Sequence, residues 1–257
     1  MPIFDAHVHY SQPAWSAFPP GAVFEVFDAA GVPRALVSST PDDGTMTLYR
    51  ANAGRVVPIL RPYRGTVGSG NWYNDATLAD YLEGRLKSGA YRGIGEFHLS
   101  DDASAGTAVV KKVVSLAVER DIPVHVHSGA GPVRVLFSHN PKLKVLWAHA
   151  GMIEPPEVVA ALLEQYPQLT TEVSFRTGEI APGGTLSPAW RALFLRHKDR
   201  ILIGSDTYVT ARWEGYRGII EDHRAWLAQL PREVAEAIAY KNAVRLFGAG
   251  DRKELSN

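Results

Sequence analysis

The 257-residue sequence contains no cysteine. Disulfides, thiolate metal sites and thiol nucleophiles are therefore excluded. Net charge is missing too. Twenty-seven basic side chains balance 27 acidic ones, so the chain as a whole has no electrostatic pull towards nucleic acid. Long apolar runs are also absent. None approaches the roughly 18 residues that a membrane span needs. The start, MPIFDAHVHY, lacks the basic residues and apolar stretch of an export signal. A cytoplasmic protein without membrane contact is expected. Oligomeric state is left open, with a homo-oligomer allowed. Any metal chemistry must use nitrogen and oxygen ligands, and the chain has nine histidines.

What is there reads as a folded α/β protein. Hydrophobic residues make up 46% and charged ones 21%, which suits a packed core and not a disordered chain. Short apolar, β-branched runs occupy residues 3–9, 34–39, 55–61, 92–98, 122–127, 143–149, 169–174 and 200–205. Their starts lie about 28 residues apart on average, the length of one strand–helix unit with its loops. Helical spacing fills the intervals, at 75–86, 108–120, 155–166 and 188–196, and two further helices at 213–229 and 232–247 follow the eighth run. No Pro/Gly/Ser-rich linker divides the chain. An open doubly wound sheet is the alternative, but its Gly-rich first turn is lacking. The expectation is one domain, residues 1–257, folded as a single (β/α)8 TIM barrel with extra C-terminal helices. Two long Gly-rich loops, 62–74 and 177–187, would lie on the face where such barrels keep their sites.

The polar residues cluster at strand ends. Run one ends in His7-Val8-His9, and side chains two apart on a strand share a face. Run four ends in Glu96-Phe97-His98, run five in His125-Val126-His127, run six in His149 and run eight in Ser205-Asp206. A barrel closes these ends into one ring. Imidazole and carboxylate ligands suit Zn²⁺ best, with Mn²⁺, Fe²⁺, Co²⁺ or Ni²⁺ as alternatives. Such an ion lowers the pKa of a bound water to about 7 and provides a hydroxide nucleophile without serine or cysteine. Asp206 suits a double role, touching the metal and shuttling the proton. His125 reads as lying one layer deeper, while His139, His197 and His223 are expected at the surface.

At these residues the sequence resembles the amidohydrolase superfamily of metal-dependent hydrolases, in its family 2 branch. DAHVH, PVHVHSG, VLWAHAG, ILIGSD and NAVRLFG occur in the family's order over nearly the whole chain. The resemblance implies metal ligands at His7, His9 and His127. It makes His149 a ligand in two-metal members and a catalytic residue in one-metal members. Asp206 matches the eighth-strand aspartate. Many two-metal relatives carry a carboxylated lysine on the fourth strand; this chain has Glu96, in GIGEF. That departure resembles the TatD-like deoxyribonucleases, whose glutamate at this place is a ligand. The metal count, one or two ions, is left open.

Arginines at strand ends can grip an anion through their planar forks. Arg61, Arg64, Arg176 and Arg212 are candidates, His98 lies near the mouth, and Trp72, Tyr73 and Tyr208 could form an apolar wall. The resulting expectation is an enzyme that hydrolyses an ester, lactone or amide bond of a small anionic organic molecule. A decarboxylase of aromatic or unsaturated acids and a TatD-like nuclease or phosphodiesterase are the alternatives. The balanced charge counts against the nuclease.

Overall fold

Each of the eight apolar runs contains one β-strand. In the computed structural model, which describes residues 1–248, these are β1 (Phe4–His9), β2 (Arg34–Ser38), β3 (Val56–Pro58), β4 (Ile94–His98), β5 (Val124–His127), β6 (Val145–Trp147), β7 (Leu169–Glu172) and β8 (Ile201–Leu202). Residues 249–257 of the expected domain lie outside the described residues. The strands pair in parallel and in chain order, as one three-stranded and one five-stranded sheet. Single bridges join the two sheets at both seams, Leu60 to Ile94 and Asp5 to Ile203. The Gly95 N–H donates to the Leu60 carbonyl at 2.8 Å, and the Ala6 N–H to the Ile203 carbonyl at 2.7 Å. The ring is the expected TIM barrel.

A helix separates each strand from the next and covers the outside. The helix Ala108–Glu119 shows how the sequence builds one. Thr107 caps its start by accepting from the Val110 N–H, which satisfies an otherwise unpaired donor. Val110, Val113, Val114 and Ala117 then recur at helical spacing and are all buried. Proline at the first turn starts the helices Pro156–Gln165 and Pro188–Arg196. The helix expected at 213–229 is two, Thr210–Glu214 and Tyr216–Leu227, broken at Gly215. That expected at 232–247 contains a π-helical turn, Ala237–Lys241. The loop expected at 177–187 opens with a helical turn, Thr177–Ile180.

The barrel interior has an apolar floor. Phe4, Ala6, Leu36, Val57, Ile59, Leu146 and Leu202 form one cluster with Ala243 and Phe247 of the terminal helix Asn242–Phe247. Asn242 anchors that helix beneath β8 by donating to the Lys198 and Ile201 carbonyls at 2.6 and 2.8 Å. Polar side chains therefore have only the opposite end of the ring available to them.

The expected surface position of three histidines needs correction. His139 is half-buried, donating to the Ala105 carbonyl, while His197 and His223 are buried. His223 falls on the same stripe of its helix as Tyr216, Ile220 and Trp226. Its Nε2 donates to the Gly204 carbonyl at 3.0 Å and its Nδ1 accepts from Trp226 Nε1 at 3.3 Å. The second contact requires the neutral ring, and burial lowers its pKa to about 4. A histidine with a depressed folded pKa contributes stability that is complete above the unfolded value near 6.5 and is lost as pH falls towards 4. The expected loss over that window is about 3 kcal/mol. Urea unfolding from pH 7 to pH 4 measures it, and His223→Gln should flatten the pH dependence. An identical slope in the variant would reject this assignment.

Candidate metal centre at the strand ends

Two local irregularities aim the key side chains inward. In β1, Ala6 and His7 together oppose the single residue Leu36 of β2. In β4, Glu96 is the extra residue between pairs that join Gly95 to His125 and Phe97 to Val126. Bulges of this kind re-aim a side chain at the cost of one ladder position. Gly95 makes the second one possible, because it has φ +136° and a Cβ there would collide with the His125 carbonyl.

The six residues His7, His9, Glu96, His127, His149 and Asp206 converge on one buried space with two lobes. In the first lobe, His7 Nε2 and His9 Nε2 are 3.1 Å apart. Glu96 Oε2 lies 3.1 Å from His9 Nε2 and 3.6 Å from His7 Nε2. Asp206 Oδ1 lies 3.3 and 3.6 Å from the same two nitrogens. In the second lobe, His127 Nδ1 and His149 Nε2 are 3.1 Å apart. Glu96 Oε1 is 3.1 and 3.6 Å from them, and Asp206 Oδ2 is 3.8 Å from His149 Nε2. Glu96 and Asp206 thus each turn one oxygen to each lobe.

Outer contacts aim the rings. His7 Nδ1 meets Glu172 Oε1 at 3.0 Å, His9 Nδ1 meets the Ser38 carbonyl at 2.8 Å, and His149 Nδ1 meets Ser174 Oγ at 2.7 Å. An acceptor at Nδ1 holds the proton there and leaves the Nε2 lone pair pointing inward. Glu172 also accepts from the His149 and Ser174 N–H groups, both at 2.7 Å. Gly204 gives it room, since a Cβ there would strike the Glu172 carboxylate. Glu172 is not among the residues that the strand-end motifs point to. A lone carboxylate inside the apolar run LTTEVS was the available signal.

The electrostatics follow from burial. Desolvation opposes charge on His7, His9, Glu96 and His149. Even so, Asp206, Glu96 and Glu172 push His7 well above the usual imidazole range, and Glu96 with Glu172 raises His149. Against the same burial, His7, His127 and His149 hold Glu96 well below the usual carboxylate range. His9 is lowered, by burial and by Arg61. Burial also raises Asp5, whose carboxylate accepts from Tyr216 and from the His7 and Ser205 N–H groups, to about 6. His125 sits under His7, ring centroids 4.5 Å apart, and is also buried.

The residues fit a divalent cation. Asp206 Oδ1 is buried without a hydrogen-bond partner, although two imidazole nitrogens face it. Donor separations of 3.1–3.6 Å match the edges, about 3.3 Å, of a tetrahedron with ligands at 2.0–2.1 Å. His7, His9 and Asp206 form one candidate ligand group, and Glu96, His127 and His149 another.

Around the mouth, a cavity of about 260 Å³ is lined by Arg61, Glu96, His98, His127, Met152, Phe175, Asp206 and Tyr208. His98 stacks on His127 with centroids 4.3 Å apart. The Tyr63 hydroxyl accepts from the His98 N–H and donates to its Nδ1, both at 2.8 Å, leaving Nε2–H as the free donor. Arg61 donates to the Glu96 carbonyl and to Glu96 Oε2, both at 3.1 Å. His149 is fully buried and does not line the cavity, so its Nε2 faces the second lobe, in the ligand place that the resemblance implied.

Three expected substrate contacts are placed elsewhere. Trp72 is fully buried, packs on Phe97 and donates to the His98 carbonyl at 2.7 Å. Arg64 is spent on Asp75 and Thr77 at 2.7 and 2.8 Å and lies over the Tyr81 ring. Arg176 is buried, donates to the carbonyls of His149, Ala150 and Glu154, and stacks on Trp190. It clamps the turn that carries His149. Arg212, equally tied, donates to the Ser205 and Asp206 carbonyls. The anion grip expected of Arg64 and Arg176 therefore has no free guanidinium behind it.

Fold and site together define a metal-binding α/β barrel of the amidohydrolase kind. The family model described as amidohydrolase matches residues 4–249, and the chain belongs to that family. No curated protein matches the sequence. Solved structures do match. A protein designated 2-pyrone-4,6-dicarboxylic acid hydrolase from Pseudomonas putida is 16% identical, with TM-score 0.66 over 96% of this chain and 97% of that one. An amidohydrolase from Burkholderia multivorans is 14% identical, with TM-score 0.64 over 96% and 99%. The 5-carboxyvanillate decarboxylase of Novosphingobium aromaticivorans, solved with manganese, is 10% identical, with TM-score 0.60 over 96% of each chain. At these identities the likeness establishes the shared fold. Among the described residues, no helix is long and apolar enough to cross a membrane.

Loading with excess Zn²⁺ or Mn²⁺ should give about two ions per chain, and Glu96→Gln should lower that number, as measured by elemental analysis. Because His7 and His149 hold protons above the usual range, binding near pH 7 should release protons and weaken as pH falls. A stoichiometry near one, unchanged by the substitution, would refute the two-lobed assignment.

Proposed function

We propose that this chain is a metal-dependent hydrolase that cleaves an ester, lactone or amide bond of a small organic molecule, with Zn²⁺ as the ion. The observation that carries this reading is the pair Glu96 and Asp206, each turned to both lobes, with Asp206 also open to the cavity. His7, His9 and Asp206 would hold one ion, and Glu96, His127 and His149 a second. Such ions, when bound, supply Lewis acidity and bring the pKa of a water to about 7.

The chain's own residues supply the rest. Asp206 accepts the proton of the attacking water and returns it to the leaving group. His98, neutral because burial lowers its pKa to about 4, points its Nε2–H at the substrate oxygen as negative charge develops there. Tyr63 fixes the tautomer that makes Nε2 the donor. Arg61 holds Glu96 in place from the carbonyl side.

Decarboxylation is the second reading, favoured by the structural likeness to a decarboxylase. Against it stands the commitment of the mouth arginines, which leaves a substrate carboxylate poorly held. A screen of esters, lactones and amides, with CO₂ release from hydroxy-aromatic acids measured in parallel, separates the two. Chelation should abolish hydrolysis and Zn²⁺ restore it. Asp206→Asn should lower kcat by at least about 10²-fold, and His98→Ala by about 10²-fold. Full activity in an exhaustively metal-free sample would overturn the proposal.

A further inference from the structure

We infer that the substrate is uncharged at its outer end and carries a flat apolar group there, seated against Phe175, Tyr208 and Met152. This rests on the hydrolytic reading above.

Two independent observations support it. The first is where exposed apolar surface lies. Of the seven large hydrophobic side chains exposed among the described residues, Ile153, Phe175, Tyr208 and Val209 stand on the loops that follow β6, β7 and β8. Met152, Phe175, Asp206 and Tyr208 of these loops line the cavity. Tyr208 is 55% and Phe175 41% exposed, and their ring centroids are 5.9 Å apart. Apolar surface gathered in this way marks a binding face.

The second is the backbone beneath it. Met152 has φ +61° and Phe175 φ +64°. Large side chains rarely take this left-handed region, and strain of this kind persists where the surroundings hold it for function. Here both strained residues present their side chains to the cavity. The Arg212 guanidinium lies 3.9 Å from the Phe175 ring centroid while its nitrogens hold the Ser205 and Asp206 carbonyls. Arg212 thus fixes the ring from behind, with two of its three nitrogens tied to backbone carbonyls. Arg64 and Arg176 are committed elsewhere, and the charge of Arg61, the guanidinium that lines the cavity, is already paired with Glu96, so a carboxylate at the outer end would be poorly compensated.

The test separates binding from turnover. Calorimetry on the metal-loaded protein should find benzamide binding at least tenfold tighter than acetamide, and at least fivefold tighter than 4-carboxybenzamide. Phe175→Gly, which suits the local backbone, should stay folded by its thermal midpoint and lose the benzamide preference; Tyr208→Ala should weaken it several-fold. In turnover, phenyl acetate should have a higher kcat/KM than its 4-carboxylate. Tighter binding of the carboxylated amide, no measurable preference for benzamide, or an unchanged preference in Phe175→Gly would overturn the inference. The expected binding pattern without hydrolysis would uphold it and refute the hydrolytic reading. Hydrolysis favouring the carboxylate would do the reverse.

Discussion

Buried negative charge is the constraint on which the rest of this structure depends. Glu96, Glu172 and Asp206 share one space at the barrel mouth, and all three are nearly or wholly out of solvent. Carboxylates so placed cost several kcal/mol each unless positive charge and hydrogen bonds compensate. Among the described residues, Arg61 is the one guanidinium that reaches a carboxylate oxygen of the cluster. Imidazoles answer the remainder, and two backbone N–H groups satisfy Glu172. The bulges at His7 and Glu96 and the bare Cα of Gly204 are the backbone's accommodation of that crowd.

Strain is distributed accordingly. Six non-glycine residues have positive φ among the described residues, and five of them, His149, Ala150, Met152, Phe175 and Asp206, follow β6, β7 or β8. Conformations of this kind cost about 1–3 kcal/mol each and need a surrounding structure that over-determines them. Arg176 is a large part of that structure, since its fork ties the carbonyls of the strained turn to the next loop. A guanidinium that looked like a substrate grip in the sequence is a structural clamp.

The barrel was legible because strand and helix periodicities alternate without a break, and every one of the eight apolar runs holds a strand. The inner histidines and carboxylates were legible because strand ends in a closed ring can only meet. Loop residues were not, for a physical reason. Arg64, Arg176 and Trp72 carry the same side-chain chemistry whether they face a ligand or a neighbouring carbonyl, and only the fold decides. Glu172 was missed because a charge that orients a histidine from behind has no motif of its own. His223 was expected at the surface because histidine counts as polar, yet a neutral imidazole with both nitrogens paired packs as an apolar ring.

The two seams of the barrel have a consequence for how the molecule holds together. β1, β2 and β3 form one sheet, the other five strands a second, and a bridge with a few backbone hydrogen bonds around it joins them at each seam. His7 and His9 belong to the smaller sheet. Glu96 and His127 belong to the larger, and Asp206 and His149 follow its strands. An ion held by His7, His9 and Asp206 would join the two half-shells, whereas the ligands of a second, Glu96, His127 and His149, all belong to the larger one. Binding at the first position would then add to a closure that backbone hydrogen bonds already make, and metal occupancy would tighten the seams as well as supply the chemistry of the mouth.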